Sequence, residues 1–154
     1  MDISIIIFLL GGLFLGWSLG ANDAANVFGT AVGTRMVRFK TAAIVCSIFI
    51  ILGAIISGAG TTETLGKLGS INALPGAFAA CVAAGISVYL MTKAGLPVST
   101  TQAIVGAIVG WNLYTGSATN IKVLITILGT WVLCPVIAGL IAMGFFTLTK
   151  NFIL

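Results

Sequence analysis

An Asn, an Asp and a second Asn lie close together at Asn22, Asp23 and Asn26, inside a stretch that otherwise has the composition of a membrane helix. A carboxylate at the centre of such a helix costs about 2.5–3.5 kcal/mol even on insertion scales, so it faces a cavity, a partner or an ion path rather than lipid. Asp23 is thus the first candidate functional residue. The two amides beside it supply carbonyl oxygens and N–H donors, which suits a small polar or charged ligand. A second polar group, Ser99-Thr100-Thr101-Gln102, follows Leu96-Pro97-Val98 and precedes an apolar run to Trp111. Ser99 with Gln102 fits a capping box and marks a helix start. On the plainest reading these hydroxyls only cap the helix. A helix start within a membrane also presents unpaired N–H groups and the positive end of the dipole, where hydroxyls add donors for an anion. Glu63 and Lys67 have the spacing of an exposed i,i+4 ion pair.

The elements that must position these residues are membrane helices. The chain is 59% hydrophobic and 6% charged, with a mean hydropathy of +1.21, against about 25% charged residues in a soluble domain. The expected class is an all-α, polytopic, multi-pass protein of the cell membrane, with the lipid bilayer as its solvent. With no His and three acidic residues, acid–base catalysis lacks its usual groups, and an enzyme is not expected. Cys46, Cys81 and Cys134 sit in separate apolar runs without C-x-x-C spacing and read as packing residues, so no cofactor is expected. The net charge of +4 is spread over short loops and leaves no nucleic-acid footprint.

Taken in order, residues 1–154 read as one transmembrane domain. Residues 3–38 form a helix predicted to break around the polar cluster, because Gly20, Gly29 and Gly33 flank it. Asp2, standing where a signal peptide carries basic residues, argues against a signal peptide. Gly12, Gly16 and Gly20, spaced by four, suit a close helix neighbour. A span at 41–59 closes in Gly58-Ala59-Gly60 and a polar loop from Thr61 to Asn72, and Pro75 opens a span at 75–92. Ser99 to Trp111 covers about 20 Å at 1.5 Å per residue, short of a hydrocarbon core of about 30 Å, so 97–114 is predicted to be a re-entrant half-helix. Gly106 and Gly110 would pack it tightly on a partner. The last span is 122–147, with a kink expected at Pro135. Arg35, Arg38, Lys40 and Lys93 are assigned to the cytoplasmic side and Lys67 to the other.

Gly20-Ala21-Asn22-Asp23-x-Ala25-Asn26, followed by Gly29-Thr30-x-x-Gly33, resembles the signature of the inorganic phosphate transporter (PiT) family. Gly95 to Gly110 resembles that family's Pro-Val-Ser-Thr-Thr segment, and Thr62-Glu63-Thr64-Leu65 its Ser/Thr-Glu-Thr-Ile segment. The motifs occur in the family's order and cover most of the chain, but only one half of a typical member, which carries two related halves. The resemblance implies an N-terminal-type repeat of an inverted-repeat transporter, a symporter of inorganic phosphate coupled to sodium or protons. It implies a phosphate-binding set of Asp23, Asn26, Ser99, Thr100 and Thr101. The cation-binding set is Asn22, Asp23, Asn26, Thr30, Glu63 and Gln102, with sodium at Asn22 and Asp23. The run from Asn22 to Thr30 is closer to the sodium-coupled pattern. Gln102 stands where the family often has His, which removes any proton role of that residue.

The residues are chemically consistent with this. Phosphate near neutral pH keeps a proton that a carboxylate can accept, while hydroxyls, amides and helix N–H groups donate to its other oxygens. Sulfate has no such proton, and a facing carboxylate repels it. No Lys or Arg lies in either motif core, so a cation must offset Asp23 and the substrate together; sodium, a hard ion preferring oxygen ligands, does so. Two other readings stay open: an anion channel, which needs no sodium site, and a non-transporting membrane subunit or fragment. A single copy of each signature predicts a partner, either a second transporter half or a homo-oligomer, and the Lys/Arg bias between the two sides favours a distinct half.

Overall fold

In the computed structural model, residues 3–69 and 74–152 are described, and every regular element among them is helical. In chain order these are α1 (Ile3–Gly33), α2 (Phe39–Leu68), α3 (Leu74–Lys93), α4 (Thr100–Thr115) and α5 (Ile121–Phe152). Four of them, all but α4, are long and apolar enough to cross a membrane. Their flanks remain open to the surroundings, with Ile56 78% and Phe39 74% exposed. Such surfaces are stable only against lipid or further protein. Where the sequence predicts one domain, the chain divides into two compact units, Met1–Thr119 and Asn120–Leu154.

Two expectations are corrected. The first helix does not break at the polar cluster: α1 is continuous from Ile3 to Gly33. Glycine in a helix costs about 1 kcal/mol relative to alanine, whereas a backbone group left unpaired in hydrocarbon costs several. Winding is therefore the cheaper state, and α1 ends only past Gly33, where the Thr34 amide and hydroxyl both donate to the Thr30 carbonyl at 2.9 and 2.8 Å. Likewise, α2 does not stop at Gly60 but runs to Leu68. The Thr62 and Thr64 hydroxyls donate back to the Gly58 and Gly60 carbonyls at 2.9 and 3.0 Å, and Lys67 bonds Glu63 one turn earlier. The polar residues thus satisfy themselves within the helix. The rest of the expected loop, up to Asn72, lies outside the described residues.

In the first unit, α1 packs chiefly on α3, and α3 on α4. Contacts between α1 and α3 advance together along both chains: Phe8 meets Phe78 with ring centroids 5.8 Å apart, and Trp17 meets Tyr89 at 5.7 Å. The two helices are therefore parallel. Phe14 lies over Gly85 of α3 and Phe78 over Gly11 of α1, and a Cβ at either glycine would meet the ring at 2.7 Å. Each helix seats an aromatic of the other where a side chain is missing. The G-x-x-x-G pairs in the sequence point elsewhere: Gly12, Gly16, Gly20, Gly106 and Gly110 have no atom within 4 Å of an added Cβ. Spacing reveals that a glycine face exists, not which face a neighbour occupies. In α4 the buried positions are Thr100, Val105, Ile108 and Asn112.

The second unit is α5, opened by Asn120, whose side-chain oxygen accepts from the Val123 amide at 3.3 Å. Pro135 lies inside this continuous helix. Its missing N–H leaves the Trp131 carbonyl without the usual partner.

Gly85→Val is expected to destabilise the protein by about 1–3 kcal/mol through overpacking against Phe14. Gly106→Ala, in open space, should be neutral or stabilising by up to about 1 kcal/mol. Thermal unfolding of the two variants side by side in one detergent checks the contrast.

Candidate functional site

The connection between α3 and α4 brings the site together. Gly95, at φ 72°, ends α3: its amide donates to Thr92 O at 3.0 Å, and the Leu96 amide donates to Met91 O at 3.0 Å. This left-handed cap favours glycine. Pro97 then disfavours helix at Leu96, and Ser99 starts α4, its hydroxyl oxygen accepting from the Gln102 amide at 3.3 Å. Stopping one helix and starting the next within a few residues places Thr92 and Thr100 on either side of a tight connection.

Both threonines reach α1, at adjacent residues. The Asn22 amide donates from Nδ2 to Thr92 Oγ1 at 2.9 Å. The Thr100 hydroxyl donates to Asp23 Oδ2 at 3.4 Å. Asn26, one turn further along α1, donates from Nδ2 to Asn22 Oδ1 at 3.0 Å. The amides thus form a relay from Thr92 through Asn22 to Asn26. Asn22 is only 3% exposed and Thr100 8%, while Asp23 is half-buried and Asn26 exposed. Since the Asn26 Nδ2 is committed inward, its Oδ1 is the free end of the relay.

The electrostatics follow from this placement. Asp23 lies beside the first turn of α4, where unpaired amides and the positive dipole end favour negative charge. The Thr100–Asp23 contact is longer than the ordinary O–H···O distance of about 2.5–3.0 Å, so the carboxylate is only lightly held and can turn to a ligand. Among the described residues, no group of three or more His, Cys, Asp or Glu side chains could hold a metal ion. A cation here would meet one carboxylate and neutral oxygens, a set suited to a hard ion.

The structure therefore gathers Asn22, Asp23, Asn26 and Thr100, with Ser99, Thr101 and Gln102 in the exposed first turn of α4 beside them. Thr30 is exposed on α1, two turns beyond Asn22, and no described hydrogen bond joins its hydroxyl to the cluster. Glu63, on α2, is exposed and its described partner is Lys67. Thr92 is the member that sequence reasoning missed. It reads as one more polar residue at the end of an apolar span, and its partner is 70 positions away.

Depth is also set by this register. From Asn22, which is level with the last turn of α3, α1 continues to Gly33, about 16 Å at 1.5 Å per residue. The α3–α4 connection is therefore well short of that end of α1. At its other end α4 returns to the start of α3, where Trp111 covers Gly76.

Comparisons with known proteins agree with one another. Residues 19–154 match the phosphate transporter family. A protein of Thermococcus kodakarensis named as a phosphate permease is 36% identical over 162 residues, covering 98% of this chain and 40% of the relative. A protein of Plasmodium falciparum named as a sodium-dependent phosphate transporter is 34% identical over 152 residues, covering 92% of this chain and 23% of the relative. A solved structure titled as the sodium-dependent phosphate transporter superposes with a TM-score of 0.86 at 33% identity, over 96% of this chain and 39% of that one. The chain thus spans about two fifths of the length of the first relative and of the solved structure.

Thr92→Val leaves the buried Asn22 Nδ2 without an acceptor and should cost about 1–3 kcal/mol. Thr92→Ser, which keeps the oxygen, should recover most of that. Thermal midpoints of the two variants in detergent decide, and equal loss in both would assign Thr92 to packing by its methyl group alone.

Proposed function

Because this chain belongs to the phosphate transporter family, we propose that it forms one repeat of a symporter that carries inorganic phosphate with sodium, working beside a second repeat of opposite orientation. The observation that carries this reading is the Asp23 carboxylate meeting the Thr100 hydroxyl at the first turn of α4. An acceptor for a substrate proton and a cluster of anion donors then stand side by side.

In this reading the first turn of α4 binds phosphate. Its free amides and the Ser99 and Thr101 hydroxyls donate to phosphate oxygens, and Thr100 turns from Asp23 to the anion. Asp23 accepts the substrate's proton and repels an anion that has none. Sodium takes the other side, held by the second Asp23 oxygen and the Asn26 Oδ1, with Asn22 fixing the Asn26 amide in the orientation that presents oxygen. The ion offsets part of the charge that Asp23 and the substrate bring together, in a site where, among the described residues, no basic side chain bonds either motif. A cation role for Glu63 requires its pair with Lys67 to open, and one for Thr30 requires movement along α1. Gln102 contributes a neutral amide that neither gains nor loses a proton near neutral pH.

The α3–α4 pair supports a re-entrant hairpin whose tip reaches the site from one side of the membrane. Both of its outer ends lie together and its tip is level with Asn22. Helix ends at such depth are tolerated where they line a binding cavity. Alternating access around a midplane site needs two repeats. The family's longer members, of which this chain matches two fifths or less, are consistent with a second repeat supplying the opposite wall.

Asp23→Asn is expected to abolish sodium-driven uptake of labelled phosphate into vesicles from cells expressing the chain, with helix content in detergent unchanged. Undiminished uptake would sink the assignment. Thr100→Val should raise the phosphate Kd about tenfold, or about 1.4 kcal/mol, and an unchanged Kd would leave that hydroxyl a structural cap. The second-repeat proposal is read separately by single cysteines introduced, in a chain with Cys46, Cys81 and Cys134 replaced by alanine, at the exposed Met36 and Gly66, because labelling of both positions from both faces would show one chain inserting in two orientations.

A further inference from the structure

We infer that the groove between α1 and α2 binds one acyl chain of an anionic phospholipid whose phosphate is held by Arg35, Arg38 and Lys40. This site is separate from the polar cluster. The groove has a volume of about 770 Å³, and its walls include Gly20, Ala24 and Phe28 of α1 and Ala42, Ala43 and Cys46 of α2. None of Asn22, Asp23 and Asn26 lines it. The volume is that of a ligand site, commonly about 300–1,000 Å³. The lining continues to Gly33 and Phe39, so the groove ends at the turn that carries the three cations.

Two observations favour a lipid over a helix as occupant. Among the described residues the cations have no ion-pair partner: all three are exposed, and the ion pair there joins Glu63 to Lys67 on the far part of α2. An apolar helix in the groove would leave them so, whereas a phospholipid offers a tail to the groove and a phosphate to its rim. The second observation is the backbone of Arg35, at φ 62°. The Arg35 amide donates to Val32 O at 3.0 Å and the Val37 amide to Ala31 O at 3.1 Å, which makes Arg35 the left-handed cap of α1. Glycine takes that position with less strain. An arginine there puts a basic side chain on the turn between Gly33 and Phe39, the groove's last lining residues, and the fork of a guanidinium matches a phosphate. Surrounding lipid tails are as apolar as the groove, so the tail sets the fit and the headgroup sets the preference.

The test is native mass spectrometry of the delipidated full chain in neutral detergent, titrated with dioleoylphosphatidylglycerol or dioleoylphosphatidylcholine. The chain should bind phosphatidylglycerol at least fivefold more tightly. The triple variant R35Q/R38Q/K40Q should lose the preference, and A43F, which fills the groove, should weaken both lipids. Arg35→Gly guards against misfolding as an explanation: it should raise thermal stability while lowering the preference. Equal binding of the two lipids by the unaltered chain, or a preference retained in both the triple variant and Arg35→Gly, overturns the proposal. So does cross-linking of Cys46 to another protein chain in phosphatidylglycerol-rich vesicles, with Cys81 and Cys134 replaced by alanine, because protein rather than lipid would then fill the groove.

Discussion

A polar side chain on a helix surrounded by hydrocarbon has no water to turn to, so protein must supply its partner, and at Asn22 that demand organises the first unit. The buried amide is met by Thr92 of α3. This single pair holds the last turn of α3 level with the polar cluster on α1. Once that register is set, the short connection to α4 delivers Thr100 to the next residue, Asp23. The aromatic–glycine contacts at Phe14–Gly85 and Phe78–Gly11 extend the same register toward the N-terminal end of α1. Hydrophobic contact alone is a weak guide to register here, since lipid tails are as apolar as leucine. Steric fit and the Asn–Thr bond discriminate instead.

The same shortage of water explains why the site lies between helix ends rather than in an unwound segment. Breaking α1 at its glycines would expose amides and carbonyls along the break. Ending α3 and starting α4 exposes fewer, and most of these are capped, by Gly95 on one side and Ser99 on the other. The amides left over at the first turn of α4 are those an anion can use. A candidate anion site and a largely satisfied backbone are thus reached by one device.

Charge is as sparing as backbone exposure. Within the polar cluster, Asp23 is the charged member, and it is held by one long bond from Thr100. The chain's remaining charges lie mostly at helix ends, with Glu63 and Lys67 neutralising each other on α2. A membrane protein of the phosphate transporter family arranged this way keeps one negative charge where ligands can compensate it. Three of its positive charges, Arg35, Arg38 and Lys40, gather where α1 gives way to α2, within reach of lipid headgroups.

The sequence by itself determined the class, the helices and most of the cluster. Composition is decisive in a membrane because the solvent tolerates few alternatives to a fully bonded helix, and an Asp between two Asn residues in such a helix has few roles other than function. The start of α4 at Ser99 was legible for the same local reason, since capping is decided within a few residues. What only the tertiary structure decided was long-range. The glycine spacings of α1 and α4 do not reveal which face a neighbour takes, and the helices meet at Gly11 and Gly85 instead. Local sequence also overstated the breaks in α1 and α2, because the cost of glycine and polar residues in a helix is smaller than that of an unpaired backbone in lipid. Thr92 could be found only in three dimensions: its importance comes from Asn22, a residue far away in the chain, and no local pattern encodes which distant hydroxyl will meet a buried amide.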